Sequence, residues 1–130
     1  MIADKSQILI LDDEPIVCKR LKPALEKSGY EVETFINSAE ALLRIEEKEF
    51  DIVITDLKME GLDGMTFLTK VKQQSSKTEV IVITGFATME TAKESYQKGV
   101  FDFVAKPFKI GEIQDVVKKA EKKRHEAQRS

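Results

Sequence analysis

Three stretches of this chain are apolar without a break and then stop on a polar residue. Ile8-Leu9-Ile10-Leu11 runs into Asp12, Ile52-Val53-Ile54 into Thr55-Asp56, and Val80-Ile81-Val82-Ile83 into Thr84-Gly85. Short, β-branched runs closed by turn formers read as strands buried on both faces. No other feature constrains the chain as much, because a sheet with two apolar faces needs helices on each side of it. Strands are therefore expected at 7–11, 51–55 and 80–83.

The intervening segments supply that cover. Pro15 suits the first turn of a helix and Asp13 its N-cap; Ile16, Val17, Leu21 and Leu25 have helical spacing, and Gly29 takes the C′ role. Residues 30–35 alternate, with Tyr30, Val32 and Thr34 on one face and Glu31 and Glu33 on the other, which describes a half-exposed strand. Asn37-Ser38 with Glu40 opens a second helix carrying Ala41, Leu42 and Ile45. A loop with Gly61 and Gly64 leads to a third, with Met65, Phe67, Leu68 and Val71. A fourth runs from about Thr88 to Lys98 and stops at Gly99. A fifth strand is expected at 100–104, and a last helix from about Ile110.

Strand and helix thus alternate five times, which predicts an α/β fold: a five-stranded parallel sheet with helices on both faces. The strands starting near 30 and 100 carry charged alternate residues and belong at the edges. Right-handed crossovers then permit the order 2-1-3-4-5. At 130 residues the chain is long enough for one domain with a real core, and no linker divides it. We assign 1–122 to that domain and 123–130 to a polar helix end or linker.

Composition excludes several classes. A net charge of −2 points neither to a nucleic-acid surface nor to an acidic tail, so no direct nucleic-acid contact is expected. No 18-residue apolar run is present to span a membrane, and Met1–Ser6 lacks the layout of a secretory signal. Cys18, the single cysteine, has no internal disulfide partner and reads as a small core residue. The cytoplasm is the simplest compartment for such a chain.

In a parallel sheet, the residues that follow each strand converge at one edge. Here they are Asp12 and Asp13, Asp56, Thr84 and Lys106. Three carboxylates against one lysine leave an excess of negative charge that calls for a counter-ion or raised carboxylate pKa values. Every candidate ligand is oxygen, so a hard divalent cation such as Mg²⁺ fits and zinc does not. An aspartate neutralised in this way, beside a lysine and a hydroxyl, can act as nucleophile toward a phosphoryl group, giving an aspartyl phosphate.

Leu11-Asp12-Asp13-Glu14, Asp56-Leu57-Lys58-Met59 with Asp63-Gly64, Ile83-Thr84-Gly85 and Lys106-Pro107-Phe108 together resemble the receiver domain of bacterial two-component response regulators, over about residues 6–122. The resemblance implies that Asp56 accepts a phosphoryl group from a sensor histidine kinase or phosphotransfer protein. It implies that Asp13 and Asp56 bind Mg²⁺ (or Mn²⁺) directly with the backbone carbonyl of Lys58, and that Asp12 acts largely through water. Lys106 would pair with a phosphoryl oxygen and precede a cis proline; Thr84 and Phe103 would form a switch. The surface of helix 4, strand 5 and helix 5 would then change for an output domain or protein target, or for a phosphorylation-dependent homodimer. Such a domain is an autocatalysed phosphoacceptor rather than a turnover enzyme.

Each of these residues also has a plain structural role open to it. Lys106 could be an ion pair, Phe103 core, Thr84 a loop cap, and Asp12 and Asp13 helix capping. Two other classes share parts of the pattern. A haloacid-dehalogenase-type phosphatase wants a second aspartate two residues after the nucleophile, where Lys58 stands. A flavodoxin-like cofactor binder wants a hydroxyl- and glycine-rich loop where Asp12-Asp13-Glu14 would repel phosphate.

Departures from the family pattern carry expectations of their own. Glu60 replaces the usual proline and should loosen the loop after Asp56, and Phe103 replaces the common tyrosine. Phe86 is bulky enough to shield the phosphoryl group, which predicts slow self-hydrolysis. Residues 121–130 read as a solvated helix end, with lone His125 given no phosphotransfer role. However, Ile110, Ile113, Val117, Ala120, Arg124 and Ala127 continue a heptad-like seam into them. A linker helix to an output domain would look like this, as in receivers joined to sigma-54-dependent transcription activators, which Ile83-Thr84-Gly85-Phe86-Ala87-Thr88 also resembles.

Overall fold

In the computed structural model, five parallel strands alternate with five helices. They are β1 (Gln7–Leu11), α1 (Pro15–Lys27), β2 (Glu31–Phe35), α2 (Ser38–Glu47), β3 (Ile52–Thr55), α3 (Gly64–Gln74), β4 (Glu79–Thr84), α4 (Met89–Gln97), β5 (Asp102–Ala105) and α5 (Ile110–Arg129). The structure describes residues 5–58 and 63–129, with side chains through 126. Glu60, Gly61 and the side chain of Ala127 lie outside the described residues. The sheet order is β2-β1-β3-β4-β5, the order that the burial pattern of the runs and right-handed crossovers permitted.

Alternation along each strand divides the core between the two faces. Ile8, Ile10, Ile52, Ile54, Ile81 and Ile83 pack with Leu21 and Leu25 of α1 and Ile113 and Val117 of α5. Leu9, Leu11, Val53, Val80 and Val82 pack with Ala41 and Ile45 of α2 and Phe67, Leu68 and Val71 of α3. Full burial of each such side chain contributes about 1.5–3 kcal/mol, so β1, β3 and β4, buried on both faces, hold the fold.

Helix ends account for two of the boundary differences. Gly29 and Gly99 have φ of 100° and 93° and close α1 and α4. Tyr30 N–H then donates to the Leu25 carbonyl and Val100 N–H to the Ser95 carbonyl, each at 3.2 Å. Both residues complete the helix cap, so β2 starts at 31 rather than 30 and β5 at 102 rather than 100.

Three expectations are corrected. Glu14, not Asp13, is the N-cap of α1, and it makes no side-chain cap bond. The Asp12 carboxylate instead accepts from Glu14 N–H at 2.9 Å, because Asp12 is held inward at the end of β1. Ile16 is 59% exposed, since Val17 and Cys18 take the inward positions of that turn. Arg124 is not solvated. It is buried, paired with Asp51 and with Glu49 (3.3 Å), and donates to the Lys77 carbonyl at 3.2 Å. Glu121, three residues earlier, accepts from Ser6 (2.7 Å) and Tyr30 (3.2 Å). The polar residues of α5 thus bind the amino edge of the sheet, opposite the carboxylates.

Candidate functional site

Strand register assembles the site. Leu11 pairs with Thr55, Thr55 with Val82, and Thr84 with Ala105. The residues one step beyond, Asp12, Asp56 and Lys106, therefore emerge together at the carboxyl edge. Asp56 N–H donates to the Leu11 carbonyl (3.2 Å) and Lys106 N–H to the Thr84 carbonyl (2.8 Å), which extends the ladder by one rung on each side.

Asp12 and Asp56 are buried, whereas Asp13 is exposed. One carboxylate oxygen from each lies within 4.8 Å of the others. Asp56 Oδ1 accepts from Leu57 N–H (2.6 Å) and Lys58 N–H (3.3 Å), which orients the carboxylate from below. Its Oδ2 meets Lys106 Nζ at 2.8 Å. The same ammonium reaches Asp12 Oδ2 at 2.8 Å and Glu14 Oε1 at 2.7 Å. Burial alone would lower the Lys106 pKa, but its bonds to Asp12, Asp56 and Glu14 outweigh that and hold it above the ordinary lysine value. Burial pushes the Asp12 carboxyl up, more than Lys106 and the Glu14 N–H pull it down. Burial likewise raises the thiol of Cys18, a core residue whose sulfur lies 3.8 Å from the Asp12 carbonyl oxygen.

The remaining expected residues lie around this cluster. Thr84 is fully buried at the end of β4, and its hydroxyl accepts from Phe86 N–H at 3.0 Å. Phe103 is half-buried and packs on the α2–α3 core. The Lys106–Pro107 peptide is cis, as the resemblance implied. Phe86 is 52% exposed and lies under the ammonium of Lys58, 4.5 Å from the ring centroid. These two residues line a groove of about 410 Å³ with Leu57, Asp63 and Met65.

Residues 8–118 match the response regulator receiver domain family. The chain belongs to that family. The transcriptional regulatory protein ZraR of Salmonella typhimurium is 32% identical over 120 residues, which cover 92% of this chain and 27% of ZraR. The chain thus spans about a quarter of that relative's length. A CheY-like receiver domain from Methanospirillum hungatei superposes with a TM-score of 0.92 at 27% identity, covering 95% of this chain and 99% of that one. The beryllofluoride-activated NtrC4 receiver domain dimer has a TM-score of 0.86 at 32% identity, covering 91% and 98%. Receiver domains are signalling domains of two-component systems, not turnover enzymes, and their CheY-like fold is the one described above.

Within this receiver domain, the donor set fits a hard cation. All three clustered ligands are carboxylates, negative charge is in excess over Lys106, and Asp13 has no hydrogen bond or ion pair among the described residues. Two further residues matter that their sequence positions alone did not reveal. Glu14 adds a third carboxylate to Lys106, 92 residues away. Gly64 lies so close to the backbone of Asp56 and Leu57 that a Cβ there would stand 2.6 Å from the Leu57 carbonyl oxygen. The only signal for either was its place inside a motif, Asp12-Asp13-Glu14 and Asp63-Gly64.

Proposed function

We propose that this chain is a phosphorylation-controlled switch whose phosphoacceptor is Asp56. The observation that carries the reading is the Asp56 carboxylate itself: 5% exposed at the end of a central strand, with Lys106 at 2.8 Å and Asp12 and Asp13 beside it. In phosphorylation, an Asp56 oxygen forms the new bond to phosphorus as the bond to the donor breaks. The donor leaves with the electron pair: acetate from acetyl phosphate, or the imidazole of a phosphohistidine on a sensor kinase or phosphotransfer protein. Mg²⁺ (or Mn²⁺), held by Asp12, Asp13, Asp56 and the Lys58 carbonyl, supplies charge neutralisation for the phosphoryl oxygens when bound. Lys106 pairs with one of those oxygens.

Thr84 and Phe103 pass the event on. The Thr84 hydroxyl turns toward the phosphoryl group, the Phe103 ring moves into the space released, and the surface of α4, β5 and α5 changes. Its readers are an output domain or a protein target, or a second copy in a phosphorylation-dependent dimer. The relationship to ZraR, a transcriptional regulatory protein, supports a transcriptional output. The resemblance of Ile83-Thr84-Gly85-Phe86-Ala87-Thr88 to receivers of sigma-54-dependent activators favours that kind, and we assign the domain to the cytoplasm. Among the described residues, no helix is long and apolar enough to cross a membrane.

Intact mass after treatment with acetyl phosphate tests the reading. One phosphoryl group should add to wild type with Mg²⁺ present, and none to Asp56→Asn. A wild-type chain that is folded, binds Mg²⁺ and takes up nothing would refute it.

A further inference from the structure

A lysine ammonium has three protons to donate. In this structure each has a carboxylate: Asp12 Oδ2 at 2.8 Å, Asp56 Oδ2 at 2.8 Å and Glu14 Oε1 at 2.7 Å. Before transfer Lys106 therefore has no free donor for the oxygens of an incoming phosphoryl group, and one of the three partners must let go before it can engage one. The partners differ in what release demands. The side chains of Asp12 and Asp56 are 3% and 6% exposed, so while Asp56 is still a free carboxylate neither can exchange Lys106 for water. The Glu14 side chain is 58% exposed and can turn into solvent. It makes no cap bond to α1, and among the described residues its carboxylate has no partner but Lys106.

We infer that Glu14 is a displaceable place-holder for the phosphoryl group, a positioning residue that occupies the third donor of Lys106 at rest and yields it as Asp56 is phosphorylated. This rests on the phosphoacceptor reading of Asp56. Glu14 sets how readily the domain accepts a phosphoryl group, in two ways that act in the same direction. It competes for the lysine proton, and it adds negative charge where an anionic donor must approach. Once Lys106 has turned to the phosphoryl oxygen, Glu14 is in water and has little further influence. Phosphorylation and dephosphorylation therefore respond differently to its removal, which a general distortion of the site would not produce.

The test follows phosphorylation by acetyl phosphate with Mg²⁺, and then decay after the donor is removed, in wild type, Glu14→Gln and Glu14→Ala. Both variants keep the buried carboxylates and should fold as wild type does. Phosphorylation is expected to be about 2- to 5-fold faster in each, the factor appropriate to releasing one exposed ion pair, with decay changed less than about twofold. Equal uptake rates in all three proteins would overturn the proposal and leave the phosphoacceptor reading standing. Uptake and decay shifted together by the same factor would also overturn it, since that marks a general change in the site. Folded, Mg²⁺-binding proteins of which none is phosphorylated would remove the reading itself, and the place-holder with it.

Discussion

Gly64 is the residue at which a single methyl group tests how tightly α3 backs onto the phosphoacceptor. It is the first residue of α3, and its N–H donates to the Leu57 carbonyl at 3.0 Å. A Cβ built there stands 2.6 Å from the Leu57 carbonyl oxygen, about 0.8 Å short of the 3.4 Å at which ordinary contact begins. The Asp56 carbonyl oxygen and the Leu57 Cα stand in its way as well. All three obstacles are backbone, so no side chain can rotate aside, and the strand-to-helix segment after Asp56 must move. Overpacking of this kind costs about 1–3 kcal/mol, and the upper end applies where backbone must give. Alanine's better helix propensity offsets at most about 1 kcal/mol of that. Gly64→Ala should therefore lose about 2 kcal/mol in urea unfolding with an unchanged m-value, which leaves the protein folded. The effect on phosphorylation should be larger. A shift approaching 1 Å in a reacting group reduces rate by on the order of 10²-fold, so uptake from acetyl phosphate should fall by one to two decades. Stability within 0.5 kcal/mol of wild type, together with a rate within twofold, would refute the claim that this approach positions Asp56.

Other perturbations probe separate parts of the molecule. Arg124→Met removes a buried guanidinium from Asp51, Glu49 and the Lys77 carbonyl, and should cost about 2–3 kcal/mol in urea, with faster amide exchange confined to the end of α5. A loss below 0.5 kcal/mol would mean that these contacts do not anchor the helix. Glu33 is held down to about 2 by hydrogen bonds from Arg44, against the opposing effect of burial, with further help from Lys48. A depressed carboxyl stabilises the fold above its unfolded value of 4.5, and that stability drains away as pH falls toward about 2. The Glu33 side chain is 30% exposed, so solvent screening reduces the contribution to about 1–2 kcal/mol. Between pH 7 and pH 2.5, wild type should lose more stability than Glu33→Gln, and parallel losses would remove the pair from the acid response. Phe86→Ala should release phosphate about 2- to 5-fold faster, matching the ~0.5–1 kcal/mol of an exposed cation–π contact with Lys58. A rate that hardly moves would show that the ring does not shield the phosphoryl group.

Much of this molecule is determined locally and is therefore legible in the sequence. Uninterrupted apolar runs at 8, 52 and 80 and alternating ones near 30 and 100 required a sheet with those strands inside and at the edges, because burial on two faces or one leaves different periods. Parallel strands all point one way, so their C-terminal polar residues had to share an edge, and the convergence of Asp12, Asp13, Asp56 and Lys106 followed from direction alone. The helix ends at Gly29 and Gly99 were equally plain, since only a residue free to take positive φ closes a helix that way without strain.

What only the tertiary structure decided is where one part of the backbone comes close to another. That Asp12 rather than Asp13 turns inward, that Glu14 reaches a lysine 92 residues on, and that Gly64 has no room for a methyl group depend on sub-ångström placement of separate elements. Arg124 shows the same division in one residue. Its place in the seam of α5 was visible in the sequence, but its burial was not, because the Asp51, Glu49 and Lys77 groups that make burial of a charge affordable come from loops that only the folded sheet brings under the helix.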